Sequence, residues 1–380
     1  MMRILFVVTE DWYFISHRLP LAAALVREGH TVAVATRVTA GAEMIREAGV
    51  ELMGLPWRRR EGSIVRECQA LWVLARELRR WRPDVVHLVA LKPAVLGGLV
   101  SRLIGPERVV VAIAGLGHVY SGGDWRSRVL RPVLRRFLTW LLAPAKFAVI
   151  VQNAVDAKFV SQELGVAAER VFQQAGAGVD LEAFSYTPPM VTHPPVVAFM
   201  GRMLASKGPA RLVAACARLR AQGVEVNALL VGDPDPGSYD TLSMGDLEAL
   251  SAPSWVTWLR RRSDIASLIA SSDVVCLPTT YGEGVPKILL EAAAVGRPVV
   301  AFAVPGCRQV VEDPITGRLV PPGDDLALAD ALGQLLASPT ARMEMGLAAR
   351  RKAEREFGIG AIVAKTRQIY ESSSAGRPPT

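Results

Sequence analysis

The 380-residue chain has only four cysteines, Cys68, Cys216, Cys276 and Cys307, and no two stand at a spacing that brings thiolates together. That argues against a zinc ribbon or a redox couple, and the four read as ordinary reduced cysteines in a cytoplasmic setting. No secretory leader is expected from the apolar run Met1-Met2-Arg3-Ile4-Leu5-Phe6-Val7-Val8, which stops at Thr9-Glu10-Asp11. It falls short of the roughly 7 to 15 residues that a leader requires, and so reads as a first buried strand. No run of about 18 apolar residues escapes interruption by charge, glycine or proline, so no transmembrane helix is expected. Despite a formal charge of +8, the chain carries no nucleic-acid-binding motif and no aromatic-basic strand platform.

What is present describes a globular protein of two domains. Half of the residues are hydrophobic and about a fifth charged, and the length exceeds the roughly 250 to 300 residues at which single cores stop growing. Short runs rich in valine and isoleucine alternate with helical patterns, the signature of strand-helix-strand units and mostly parallel sheets. In the first half, strands are expected at 4–8, 31–36, 85–89, 109–114 and 147–151. A second series is expected at 196–200, 227–231, 256–259, 274–278 and 299–302. Between them the pattern lapses into Gly176-Ala177-Gly178-Val179-Asp180 and the pairs Pro188-Pro189 and Pro194-Pro195. The boundaries implied are a first domain at 1–178, a linker at 179–195 and a second domain at 196–357. Residues 358–380 would form a helix that packs back on the first domain, followed by a disordered tail. The fold class is α/β, two Rossmann-like doubly wound domains facing a central cleft, with ligands beyond the carboxyl ends of the strands.

Two segments of the second half carry anion-binding chemistry. After the strand at 274–278 comes Glu283-Gly284-Val285-Pro286-Lys287-Ile288-Leu289-Leu290-Glu291. Pro286 suits the first turn of a helix, and the N–H groups of Gly284, Val285 and Lys287 would point outward at its positive end. Glu291, more than one turn farther in, could accept hydrogen bonds from ribose hydroxyls, and Glu283 could reach a sugar hydroxyl. After the strand at 196–200, the loop Gly201 to Pro209 presents Arg202 and Lys207 just before another helix. An arginine grips phosphate with two donors and a lysine adds a point charge, a pairing suited to a diphosphate.

These two elements resemble the donor site of the retaining glycosyltransferases of family four, which have the GT-B architecture. The likeness covers nearly the whole chain and rests on two glutamates with seven residues between them, Glu283 and Glu291. It implies that Arg202 and Lys207 hold the nucleoside diphosphate, that Glu291 binds ribose and that Glu283 lies beside the transferred sugar. Trp258-Leu259-Arg260-Arg261 resembles the segment that holds the base, with Arg260 where glycine is usual, which brings Arg261 among the donor candidates. The opening Glu10-Asp11-Trp12-Tyr13-Phe14 through His17-Arg18-Leu19-Pro20 resembles enzymes that extend lipid-linked glycans. The resemblance implies a hexose-type sugar carried by a nucleoside diphosphate such as UDP, and a polyprenyl-diphosphate-linked saccharide as acceptor.

Gly115-Leu116-Gly117-His118-Val119-Tyr120 begins like a dinucleotide fingerprint, but Tyr120 stands where its last glycine belongs. In a two-domain transferase Gly115 and Gly117 would allow close approach to the cleft, and His118 and His17 become candidates for contact with donor sugar or acceptor. A lone histidine is as readily structural. Asp233-Pro234-Asp235 resembles an acidic metal motif, but its proline context reads as a turn, and no metal or cofactor is inferred.

Two basic-aromatic stretches, Trp57-Arg58-Arg59-Arg60 and the segment containing Trp125, Arg126, Arg128, Arg131, Arg135 and Arg136, suit an amphipathic helix at an anionic membrane surface. They equally suit a surface helix whose arginines are merely solvated, and Arg131-Pro132 puts a kink or a start inside the second. On the membrane reading the chain is peripheral to the inner face of the cell membrane. A non-catalytic nucleotide or sugar binder is the alternative, and a nucleic-acid-binding protein a weaker one.

Overall fold

A computed structural model describes residues 1–57, 64–113, 125–189, 193–280, 282 and 284–372, with residues 64 and 125–130 described by their backbone alone. The chain forms two compact units, Met1–Ala177 together with Ile359–Thr380, and Gly178–Gly358.

The first unit is built on seven parallel strands: β1 (Arg3–Glu10), β2 (Thr31–Arg37), β3 (Glu51–Gly54), β4 (Val85–Val89), β5 (Arg108–Ile113), β6 (Phe147–Val151) and β7 (Val171–Gln173), in the order β3-β2-β1-β4-β5-β6-β7. Both faces are covered, which is why the central strands read as unbroken apolar runs. Leu5 and Val7 point into one core with Ala33 and Val86, against helices Ile64–Trp81, Leu91–Ile104 and Trp125–Leu142. Ile4, Phe6 and Val8 point into the other, against Asp11–His17, Leu19–Arg27 and the carboxyl-terminal helix Ile359–Ser372.

The second unit repeats the plan with six parallel strands: β8 (Val196–Met200), β9 (Asn227–Val231), β10 (Val256–Leu259), β11 (Val274–Leu277), β12 (Val299–Phe302) and β13 (Gly317–Val320), ordered β10-β9-β8-β11-β12-β13. In each sheet the first strand lies in the interior and the order reverses beside it, between β1 and β4 and between β8 and β11. A crevice opens at such a reversal because the flanking connections leave on opposite faces.

The strands expected from sequence are present within a residue or two. The short strands β3, β7 and β13 were not foreseen: they lie at sheet edges, are three or four residues long, and only partly bury their side chains. Helix Trp125–Leu142 continues across Pro132, so this residue does not mark the helix start that was one of the two expectations for it. Pro132 is exposed, so the carbonyl that loses its helical donor there can turn to water. Trp57 corrects a second expectation. Proposed as a membrane contact, it is 1% exposed and packs in the core with Leu55, Leu74 and Leu78, because it follows the edge strand β3 inward. Among the described residues, no helix is long and apolar enough to cross a membrane.

Candidate functional site

The loops that leave β8 and β11 are pinned to each other at the point of strand reversal. Gly201 closes the end of β8, its N–H donating to the Val231 carbonyl at 2.9 Å. Ala205–Lys207 then makes one tight turn and Gly208 starts helix Pro209–Ala221. Gly208 has φ +82°, and a Cβ there would fall 2.4 Å from the Pro278 carbonyl oxygen at the end of β11. Only glycine allows the two chains to approach so closely. Across this contact the Ser206 carbonyl accepts from the Thr280 N–H at 2.9 Å and the Thr279 hydroxyl at 3.2 Å. Ser206 donates in turn to Asp240 through its hydroxyl and its N–H. Partial burial would raise the Asp240 pKa, but hydrogen bonds from Ser206 and Ser238 more than offset it and hold the carboxyl below its ordinary value. The backbone that carries Lys207 is therefore fixed by a charged anchor.

Arg202 projects from the same loop, 45% exposed, its Nη1 2.7 Å from Asp235 Oδ2. Two residues before Asp235, the Asp233 carboxylate receives Arg260 Nε at 2.7 Å, and Arg260 also lies over the Trp258 ring. Asp233-Pro234-Asp235 is irregular chain after β9 that leads into a turn starting at Asp235, whose carbonyl accepts from the Ser238 N–H at 2.7 Å; sequence reasoning missed that both carboxylates aim the arginines of the neighbouring loops. Its position at a strand end, directly after Gly232, which follows β9, was the available signal. Among the described residues, no group of three His, Cys, Asp or Glu could hold a metal ion.

On the β11 side, helix Lys287–Val295 begins with Pro286 as its N-cap, one residue earlier than the helical position expected for it, and has no side-chain cap. Gly284 and Val285 are half-buried just before it. Its first turn holds Lys287 and no acid, although carboxylates are the stabilising choice beside the positive end of a helix. A first turn so built favours an external anion over its own stability. Lys287 Nζ lies 3.0 Å from Glu291 Oε1, one turn on, and Glu291 is 7% exposed. This pair was not anticipated.

The structure thus brings Arg202, Lys207, Gly284, Val285, Pro286, Lys287 and Glu291 to the adjoining carboxyl ends of β8 and β11. Arg261 stands apart, exposed just beyond the edge strand β10. His17, in the other unit, ends helix Asp11–His17 with its ring stacked on Tyr13 at 4.1 Å and its Nδ1 3.2 Å from the Tyr13 carbonyl. Glu283, Gly115, Gly117, His118, Arg58, Arg59 and Arg60 lie outside the described residues. Trp125, Arg126 and Arg128 are placed by backbone alone, in the first turns of helix Trp125–Leu142.

Fold and site together define a class: a protein of two doubly wound units, the second of which offers cations and an uncapped helix start to an anion at its strand reversal. Comparison with known proteins narrows it. Residues 16–173 match the family model for a glycosyl transferase 4-like domain, and residues 194–338 that for glycosyl transferases group 1. The D-inositol 3-phosphate glycosyltransferase of Xylanimonas cellulosilytica is 29% identical over 400 residues, covering 95% of this chain and 91% of that one. The phosphatidyl-myo-inositol mannosyltransferase of Mycobacterium leprae is 32% identical over 201 residues, 51% of this chain and 52% of its own. Among solved structures, Anabaena HepE in complex with UDP and glucose superposes with a TM-score of 0.75 at 20% identity, over 98% of this chain and 100% of that one, a likeness of fold. The chain belongs to the family-four-like glycosyltransferases of GT-B fold.

Proposed function

We propose that this glycosyltransferase moves a hexose-type sugar from a nucleoside diphosphate, UDP in the first instance, to a lipid-linked saccharide, with retention at the anomeric carbon. The observation that carries the donor half is the meeting of the Arg202–Lys207 loop with the start of helix Lys287–Val295 at the reversal between β8 and β11. When the bond between the anomeric carbon and the diphosphate breaks, negative charge grows on the departing phosphate. Arg202, Lys207 and the uncapped helix start are already in place to receive it, and prearranged donors of this kind stabilise charge without reorganisation. Glu291 accepts from ribose hydroxyls through the oxygen not engaged by Lys287, and Glu283 sits beside the sugar as the family resemblance implies. HepE is a protein of the same fold whose structure holds UDP, which supports the choice of nucleotide.

The acceptor half draws on the opening segment Glu10 to Pro20 and on the basic-aromatic helices of the first unit, which suit a polyprenyl-diphosphate-linked saccharide at the inner face of a membrane. The two relatives above are named for different acceptors, an inositol phosphate and a phosphatidylinositol. The test is a panel of nucleotide sugars scored by thermal stabilisation. A preferred donor at 100 times its Kd adds about 2.7 kcal/mol to the folded state. Arg202→Ala, Lys207→Ala and Glu291→Gln should each weaken that stabilisation and the turnover. Unchanged donor binding and turnover in all three would remove the site assignment.

A further inference from the structure

The three helices that cover one face of the first sheet, Ile64–Trp81, Leu91–Ile104 and Trp125–Leu142, pack side by side. Together they carry eleven basic side chains against two acidic ones, a net +9, whereas the whole chain has a net charge of +8. The excess charge of the protein is therefore concentrated in this layer, and everything else sums to about neutrality. Such an arrangement creates a local field toward anions that an even distribution would not.

The layer also carries five of the sixteen large apolar side chains that stand out in water among the described residues. Val65 is 77% exposed, Trp72 63%, Leu103 72%, Val133 63% and Trp140 44%. On helix Ile64–Trp81 the exposed positions Val65, Cys68, Trp72, Arg76 and Arg79 recur at three- or four-residue steps, a single stripe that is apolar at its start and basic at its end. Two of the tryptophans are flanked by arginines: the Arg76 guanidinium lies 5.3 Å from the Trp72 ring and that of Arg102 4.2 Å from the Trp140 ring. Scattered exposed hydrophobics need no explanation, but five on one layer that also holds the charge excess do.

We infer that this three-helix layer is the surface by which the enzyme docks on an anionic bilayer, with Trp72 and Trp140 entering the headgroup region and Arg76, Arg79, Arg80, Arg135 and Arg136 pairing with lipid phosphates. Tryptophan prefers that depth because its ring is apolar and its N–H is polar, and each arginine near an anionic surface adds attraction. Nucleic acid would match the charge but gives no use to Val65, Leu103 and Val133. The inference rests on the lipid-linked acceptor of the proposed function and gives that acceptor its place of access. It also moves the membrane contact from Trp57, which is buried, to the outer side of the layer.

Cys68 makes the test direct, since Cys216, Cys276 and Cys307 are buried. The full chain is labelled at Cys68 with an environment-sensitive fluorophore and mixed with phosphatidylcholine vesicles with or without phosphatidylglycerol. Expected is a blue shift and co-sedimentation with the anionic vesicles only, weakened about a hundredfold or more in Arg76→Glu/Arg79→Glu/Arg80→Glu and several-fold in Trp72→Ala. The two variants act separately, so misfolding of one leaves the other decisive, and both should keep turnover on a water-soluble acceptor. Equal binding to neutral vesicles, no binding at all, or tighter binding to duplex DNA than to anionic vesicles overturns the inference. Continued sugar transfer to a soluble acceptor alongside such a result would leave the donor site standing, so the two failures are distinguishable.

Discussion

The two sheets share a strand order, yet the mouths of their reversals are built with opposite charge. Where β1 ends, the chain places two carboxylates, Glu10 and Asp11, both buried. Glu10 lies 3.5 Å from Arg37. Asp11 accepts from the Thr39 N–H and hydroxyl, the Gly41 N–H and the Trp12 N–H. Where β8 ends, the chain places Arg202 and Lys207 instead, and across from them Lys287. The same backbone plan therefore supplies a crevice in both units, while the residues just beyond the first strand decide what the crevice accepts. In the first unit the acids are consumed by internal hydrogen bonds and brace a loop. In the second the cations stand at the mouth at least partly exposed, Arg202 paired with Asp235 and Lys287 with Glu291, on a loop anchored through Ser206.

The sharpest way to break this contrast is to remove charge from each mouth in turn. Arg202→Ala combined with Lys207→Ala should lower kcat/KM about 100-fold to 1,000-fold, as loss of transition-state charge stabilisation does, with little change in thermal midpoint, because Arg202 is half exposed. Asp11→Ala should do the reverse. It leaves the N–H groups of Thr39 and Gly41 without their acceptor, a cost of about 1–3 kcal/mol, seen as a lower midpoint with donor affinity intact. A double variant that unfolds the protein, or an Asp11 variant that abolishes donor binding, would show that the two mouths do not divide structure and chemistry in this way.

A subtler contrast concerns buried polar groups. In the first unit His87 is fully buried on β4, its Nδ1 2.6 Å from the Tyr370 hydroxyl of the carboxyl-terminal helix. Burial, reinforced by the nearby Arg18 charge, pushes its pKa well below the usual 6.5. As pH falls through 6.5 the unfolded chain takes up a proton that folded His87 refuses, so stability is lost from there downward, by up to about 1.4 kcal/mol per pH unit. Arg297, fully buried in the second unit, donates to the carbonyls of Ser272, Thr187 and Ala270 and does not titrate in that window. Thermal midpoints between pH 7 and 5 should fall less in His87→Gln than in the unmodified chain. Parallel curves would assign the acid sensitivity to other groups.

Much of this was legible in the residues themselves. Central strands announce themselves because both faces of a parallel sheet are apolar, and the Glu283 to Glu291 segment because proline, glycine and lysine collect at one helix start. The edges β3, β7 and β13 were not legible, since a three- or four-residue strand half in water carries little apolar signal. Nor was the role of Asp233 and Asp235. Their arginine partners lie 27 and 33 residues away in sequence, and only the β10-β9-β8 order makes them neighbours. Trp57 misled for a related reason: its basic companions Arg58, Arg59 and Arg60 suggested a surface, while the chain turns inward at the end of an edge strand.

The smallest effect tests the finest point of the comparison, whether Lys287 belongs to the helix or to the ligand. For the fold, its pair with Glu291 is an i, i+4 contact in the less favourable orientation, worth a few tenths of a kcal/mol. Its charge also opposes the helix dipole by about the same amount. The two terms nearly cancel, so Lys287→Ala should change stability by less than about 0.5 kcal/mol. For an anion at the helix start the terms add, because the ammonium and the free end of the dipole share a sign, and the variant should bind nucleoside diphosphate several-fold more weakly while leaving nucleoside binding alone. A loss of stability above 1 kcal/mol with unchanged diphosphate affinity would make Lys287 a structural partner of the buried Glu291. The anion would then be left to Arg202, Lys207 and the backbone of the helix start.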